Sequence, residues 1–130
     1  MSTSKQRILV VDDEVSFTRL LKLNLEQTGG YEVLVENSAV EALAAARRFK
    51  PDLVLLDVMM PEMDGGSLAA QLRSSAALEN VPIVFLTAAV KKEEVESRRG
   101  QIGGFPFLAK PVDLAELVEF LREFLGKSST

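Results

Sequence analysis

Four short apolar runs constrain this chain more than anything else in it: Ile8-Leu9-Val10-Val11, Leu53-Val54-Leu55-Leu56, Ile83-Val84-Phe85-Leu86 and Phe107-Leu108-Ala109. None of them alternates with polar residues, so none suits a strand with one wet face; they suit strands covered on both faces, as in a parallel sheet. Between the runs the apolar residues return at helical spacing, the pattern of crossover helices. The fold class is therefore α/β. Each run leads straight into a polar residue: Asp12-Asp13, Asp57, Thr87 and Lys110. In an open parallel sheet, ligands bind in the crevice beyond the carboxyl ends of the strands, so these side chains should meet at one site.

The crossovers carry recognisable punctuation. Phe17, Leu20, Leu21, Asn24 and Leu25 recur at helical spacing until Gly29-Gly30, after which Tyr31–Val35 reads as a strand. Ser38 with Glu41 three residues on has the pattern of a capping box, and an alanine-rich helix from Val40 to Phe49 is closed off by Pro51. A third helix is expected after Asp64-Gly65-Gly66, running through Leu68 and Leu72. The last helix has Asp113 as N-cap with Glu116 three on, and Leu114, Leu117, Val118, Leu121, Phe124 and Leu125 on one stripe. The segment from Lys91 to Arg99 is charged almost all round, with Val95 as its one large apolar residue; a helix there can bury little and should be weakly anchored or held by a partner.

Composition narrows the chemistry. With 130 residues and 47% hydrophobic content, a single domain over 1–130 with its core at about 7–126 is expected. The chain has no cysteine and no histidine, which excludes disulfides, thiolate metal sites and the commonest general base. A net charge of −4 argues against a nucleic-acid footprint. No stretch approaches the roughly 20 apolar residues of a membrane span, and a cytoplasmic location is expected.

Taken singly, the strand-end residues have plain explanations. Asp12 and Asp13 could cap the first helix, Asp57 could be a loop residue, Thr87 a strand-end hydroxyl and Lys110 a solvated lysine; Asp64-Gly65 reads as turn chemistry. Convergence from separate strands outweighs these readings. Three crowded carboxylates repel one another and call for a cation, and a hard divalent ion with oxygen ligands fits: Mg²⁺, with Mn²⁺ as an alternative, held by Asp12 and Asp13. Asp57 is then placed to act as a nucleophile toward a phosphoryl group, with the Lys110 ammonium and the Thr87 hydroxyl to stabilise the charge that develops.

The strand ending in Asp12-Asp13-Glu14, the segment Leu55-Leu56-Asp57-Val58-Met59-Met60-Pro61-Glu62-Met63-Asp64-Gly65, the Thr87-Ala88 pair and Lys110-Pro111, in that order and spacing, resemble the receiver domains of two-component response regulators over about Ile8 to Leu125. The resemblance implies a flavodoxin-like fold with strand order 2-1-3-4-5. It also implies an aspartyl phosphate formed on Asp57, a metal site of Asp12, Asp13, Asp57 and the Met59 backbone carbonyl, and a switch in Thr87 and Phe107. In the family the hydroxyl moves to the phosphoryl group and the aromatic swings inward, repacking the face made by the charged helix of 91–99, the fifth strand and the last helix. Phe107 has no hydroxyl to bury, so its inward state should be favoured even before phosphorylation; the plainer reading is a core phenylalanine. The Lys110-Pro111 bond is commonly cis in the family.

The chain departs from the family pattern in places. Gly103-Gly104-Phe105-Pro106 precedes the fifth strand where acidic residues are common, and Phe105 there could add apolar surface for a partner. Met59 cannot orient a water by hydrogen bonding and Ala89 cannot block one, so the lifetime of a phosphoryl group is left open. The resemblance implies a phosphoacceptor rather than an enzyme, one that assists its own phosphorylation and dephosphorylation. Its partners would be a sensor histidine kinase or phosphotransfer protein and a downstream protein target, with no nucleic acid and no membrane; it would be a monomer that could pair on phosphorylation. The alternatives are a non-phosphorylated scaffold, or a receiver module from a larger hybrid kinase. A small-phosphate hydrolase is more distant, since no second carboxylate is placed as general acid near Asp57.

Overall fold

The computed structural model describes residues 5–58, 65–87, 101–102, 105–109 and 112–125. The apolar runs form the strands expected of them: β1 (Gln6–Val11), β2 (Tyr31–Glu36), β3 (Leu53–Asp57), β4 (Ile83–Thr87) and β6 (Phe105–Ala109), with a two-residue strand β5 (Gln101–Ile102) before the last. The helices are α1 (Val15–Gln27), α2 (Ala39–Phe49), α3 (Gly65–Ser74) and α4 (Leu114–Leu125). The sheet order is β2-β1-β3-β4-β6-β5. Its first five members are parallel neighbours, the 2-1-3-4-5 order with β6 as the fifth parallel strand.

The register explains why the runs are continuous. Every residue of β3 is buried, as is Ile8 through Val11 of β1, because both faces of these central strands are covered. Odd-numbered Leu9, Val11 and Phe107 join Val54, Leu56, Ile83 and Phe85 in one layer with the small side chains of α2 and with Leu68 and Leu72 of α3. Ile8, Val10, Leu53, Leu55, Val84 and Leu86 form the opposite layer with Leu21 and Leu25 of α1 and Leu117 and Leu121 of α4. Burial of each of these large side chains contributes about 1.5–3 kcal/mol of transfer free energy, far more than any surface ion pair in the molecule.

Several local expectations meet finer detail. Leu20, read as part of the α1 stripe, is 58% exposed; the buried face is instead Thr18, Leu21 and Leu25, with the Thr18 hydroxyl donating back to Val15 and Glu14 carbonyls. Ser38 is the N-cap of α2, but its side chain makes no capping bond, and the Glu41 N–H donates to the Ser38 carbonyl instead. Asp113 caps α4 through its Oδ1, which accepts from the N–H groups of Ala115 (2.8 Å) and Glu116 (3.3 Å). Phe124 ends up 42% exposed and stacks on Phe120, with ring centroids 4.6 Å apart. α3 starts at Gly65, earlier than the glycine pair suggested. Lys50 closes α2 in the left-handed region (φ 55°), its N–H donating to Ala46.

Phe105 and Pro106, expected ahead of the fifth strand, belong to it: Ile102 pairs with Phe105 and Gln101 with Pro106 in an antiparallel ladder, while pairing to β4 begins at Phe107. Proline is tolerated there because the ladder at the sheet margin is short. Gly103, Gly104 and the charged segment 91–99, expected as a helix weakly anchored or held by a partner, lie outside the described residues.

The opposite margin, β2, is tied to α1 by side chains. Glu26 Oε2 accepts from the Val33 N–H (3.0 Å) and from Lys22 Nζ (3.0 Å), and Lys22 Nζ donates to the Val33 carbonyl (2.6 Å). The Val33 N–H, then the Lys22 ammonium, hold the Glu26 carboxyl below its ordinary range against the opposing effect of burial. A carboxyl whose folded pKa is depressed stabilises the fold above its unfolded pKa, and that contribution is lost as pH falls through the folded value. Accordingly, Glu26→Gln should flatten the acid limb of a urea-stability profile at about pH 3–5 relative to wild type; superimposable profiles would show that the bond does not discriminate between the charge states.

Candidate functional site

Parallel pairing of β1 and β3, Val11 opposite Leu56, brings the residues after each strand side by side at the carboxyl edge of the sheet. Asp12 follows β1 directly and is fully buried; Asp57 is the last residue of β3 and is 6% exposed; Asp13 is exposed. One carboxylate oxygen from each of the three lies within 4.8 Å of the others. At that separation two unit charges repel by about 1 kcal/mol in water and by three to four times as much at an effective dielectric near 20. With two of the three carboxylates out of water, the cluster favours an arriving cation strongly. Three hard oxygen donors of this kind fit Mg²⁺, which takes one or two carboxylates and keeps several waters.

The backbone around Asp12 is pinned rather than loose. Its N–H donates to the Glu36 carbonyl (3.1 Å), its own carbonyl accepts from Asn37 Nδ2 (2.7 Å), and its Oδ1 accepts from the Glu14 N–H (2.9 Å). The last bond shows that Asp12 does serve the start of α1, as its plain reading held, while standing in the acidic cluster; the N-cap position itself is Glu14. Asn37 also donates to the Thr18 hydroxyl (3.0 Å), so one amide links the end of β2, the turn after β1 and the first turn of α1. Neither Asn37 nor Thr18 was singled out in the sequence. The available signal was an Asn just past a strand, a residue type that bonds neighbouring backbone.

β3 continues through the Val58 N–H, which donates to Leu86 of β4 (3.1 Å). Thr87 is the last residue of β4, and its backbone pairs with Ala109, the residue before Lys110. The carboxyl ends of β4 and β6 are thus neighbours, with β4 next to the strand that ends in Asp57. Lys110, Pro111, Met59 and Asp64 lie outside the described residues. Phe107 is buried (6% exposed) opposite Phe85 in the layer against α2 and α3, which is what a core residue and an inward switch residue would equally show.

The fold agrees with known proteins. A response regulator receiver domain family model matches residues 8–122. The chain belongs to the response regulator receiver domain family. This receiver domain is 40% identical over 124 residues to the alkaline phosphatase synthesis transcriptional regulatory protein PhoP of Bacillus subtilis, covering 95% of the chain and 50% of that protein. It spans about half the length of the transcriptional regulators it matches first. The polar-differentiation response regulator DivK of Brucella ovis is 31% identical over 120 residues, covering 92% of the chain and 95% of DivK. Among solved structures, the receiver domain of the sensor histidine kinase PA1611 from Pseudomonas aeruginosa superimposes with a TM-score of 0.79 at 29% identity, covering 95% of this chain and 100% of that one; that structure has a magnesium ion coordinated in its active-site cleft. The chemotaxis protein CheY4 of Vibrio cholerae gives a TM-score of 0.78 at 29% identity, covering 92% of this chain and 98% of that one.

Two outcomes follow for the receiver domain's acidic edge. Asp13→Asn removes one of three repelling charges from an exposed position, so it should raise stability without divalent ions by about 1 kcal/mol while abolishing the gain in thermal midpoint expected for wild type on adding Mg²⁺. Asn37→Ala frees the Asp12 backbone and should weaken Mg²⁺ binding by roughly tenfold, in the range of other outer-shell losses. Titration of Mg²⁺ by calorimetry checks both; unchanged Mg²⁺ affinity in either variant would remove that residue from the site.

Proposed function

We propose that this receiver domain is the phosphoacceptor switch of a two-component phosphorelay, with Asp57 taking the phosphoryl group from a phosphohistidine of a sensor histidine kinase or phosphotransfer protein. The observation that carries the reading is the cluster of Asp12, Asp13 and Asp57 at the carboxyl edge, two of them buried. A carboxylate oxygen of Asp57 forms the new P–O bond as the P–N bond to the donor imidazole breaks, and the imidazole leaves with the bonding electron pair and is protonated.

Asp12, Asp13, Asp57 and the Met59 carbonyl are the residues proposed to hold Mg²⁺. When bound, that ion offsets the negative charge shared by the carboxylates and the phosphoryl oxygens. Asp12, fixed by Glu36, Asn37 and Glu14, keeps its carboxylate aimed at the cluster without further reorganisation. Lys110 supplies a cation and Thr87 a hydroxyl to the phosphoryl oxygens, and the pairing of Thr87 with Ala109 supports that assignment. Thr87 and Phe107 are proposed as the switch that passes the phosphorylated state to the surface made by the charged segment 91–99, β6 and α4, for a protein target. The domain is regulatory and acts in the cytoplasm, assisting its own phosphoryl transfer and hydrolysis.

Beryllofluoride with Mg²⁺, added to wild type and to Asp57→Asn, tests this reading by amide NMR. Wild type alone should show shifts at Thr87, Phe107 and the charged segment 91–99, with half-saturation of Mg²⁺ lowered by the analogue. A wild-type spectrum that responds to Mg²⁺ and ignores beryllofluoride would take Asp57 out of the acceptor role.

A further inference from the structure

β2 is the sheet's outer strand on the side away from β5, and its backbone groups alternate in direction. Gly30 and Glu36 carbonyls accept from Gln6 and Asp12 of the β1 side, so the even-numbered residues of this segment face β1. Tyr31, Val33 and Val35 therefore face outward, where an unpaired strand offers a template for another chain. The central one, Val33, has both its groups occupied by α1: Glu26 takes the N–H (3.0 Å) and Lys22 the carbonyl (2.6 Å), while the two side chains bond each other (3.0 Å). A lysine and a glutamate one turn apart thus imitate the donor and acceptor of a neighbouring strand.

We propose that β2 is a self-pairing edge that the Lys22–Glu26 pair holds shut, and that the partner it is shut against is a second copy of this chain. The sequence of the edge is self-complementary. An antiparallel pair centred on Val33 sets Val33 opposite its mate and Tyr31 opposite Val35, the outward groups that must exchange bonds. In that register Glu32 stands opposite Leu34 and Glu36 opposite Gly30, so no two like charges face each other across the axis. The surface of α1 beside the pair also favours a second copy: Leu23, adjacent to Lys22 and three residues before Glu26, is 53% exposed and lies toward the same side of the helix. Closure of the edge is intramolecular and side-chain based, so it opens without unfolding the strand.

The test compares wild type, Glu26→Gln, which keeps an amide oxygen for the Val33 N–H, and the double variant Lys22→Ala/Glu26→Ala, all unphosphorylated and without divalent ions. Sedimentation should give monomers for wild type and Glu26→Gln, and for the double variant a dimer with association strengthened by roughly tenfold or more, a scale set by exposing one edge. Amide exchange in that dimer should show new protection at Tyr31 and Val35, and adding Val35→Pro should return it to monomer. A folded double variant that stays monomeric, or a dimer with protection elsewhere, would overturn the proposal. In wild type, where folding is not at issue, the Val33 amide should exchange at least about tenfold more slowly than those of Tyr31 and Val35; equal rates along the edge would overturn it as well.

Discussion

The register between β1 and β3 is the constraint on which everything else rests. Val11 opposite Leu56 sets Asp12 against Asp57, and because side chains alternate with a period of two, a slip of one residue would exchange the contents of both layers and separate the carboxylates. The register is held by large apolar side chains on both faces of both strands, among them Ile8, Leu9, Leu53, Leu55 and Leu56, all with essentially no exposed surface. The repulsion among three carboxylates is small beside the free energy of burying that many side chains. The apolar core can therefore hold the acidic edge together, and a cation gains from an arrangement it did not have to build.

Much of this was legible in the sequence because the signals were of the kind that tertiary context reinforces. Doubly buried strands need uninterrupted apolar runs, and the runs at 8–11, 53–56 and 83–86 fell where β1, β3 and β4 lie. Strand order, by contrast, came from family likeness, since no local pattern states which run neighbours which. The site residues Asp12, Asp13 and Asp57 were visible because each ends or follows such a run. Asn37 was not, since its importance comes from a bond to a carbonyl 25 residues earlier in the chain, which spacing cannot show.

The misreadings have physical causes too. Leu20 fits a helical stripe by spacing, but the face of α1 that meets the sheet is centred on Leu21 and Leu25, and a hydroxyl, Thr18, completes it by satisfying itself on the helix backbone. Ser38 has the right neighbour for a capping box, yet the turn into α2 uses a backbone carbonyl for the same N–H. Phe105-Pro106 read as the approach to the fifth strand, whereas a short antiparallel ladder at the margin of a sheet takes them into it. In each case a local rule held in kind, and the neighbouring element decided which group fulfilled it.

The sheet also divides the interior into two rooms. Phe107 and Leu56 belong with α2 and α3, while Leu55 and Leu117 belong with α1 and α4, and the strands stand between them as a wall of backbone. Sites that share no partner lose stability independently, so changes accumulated in one room leave the other free to vary. The surface over α2 and α3 and the surface over α1 and α4 can in this way be reshaped by separate histories of substitution, meeting only along the carboxyl edge where the wall ends and the acidic residues stand.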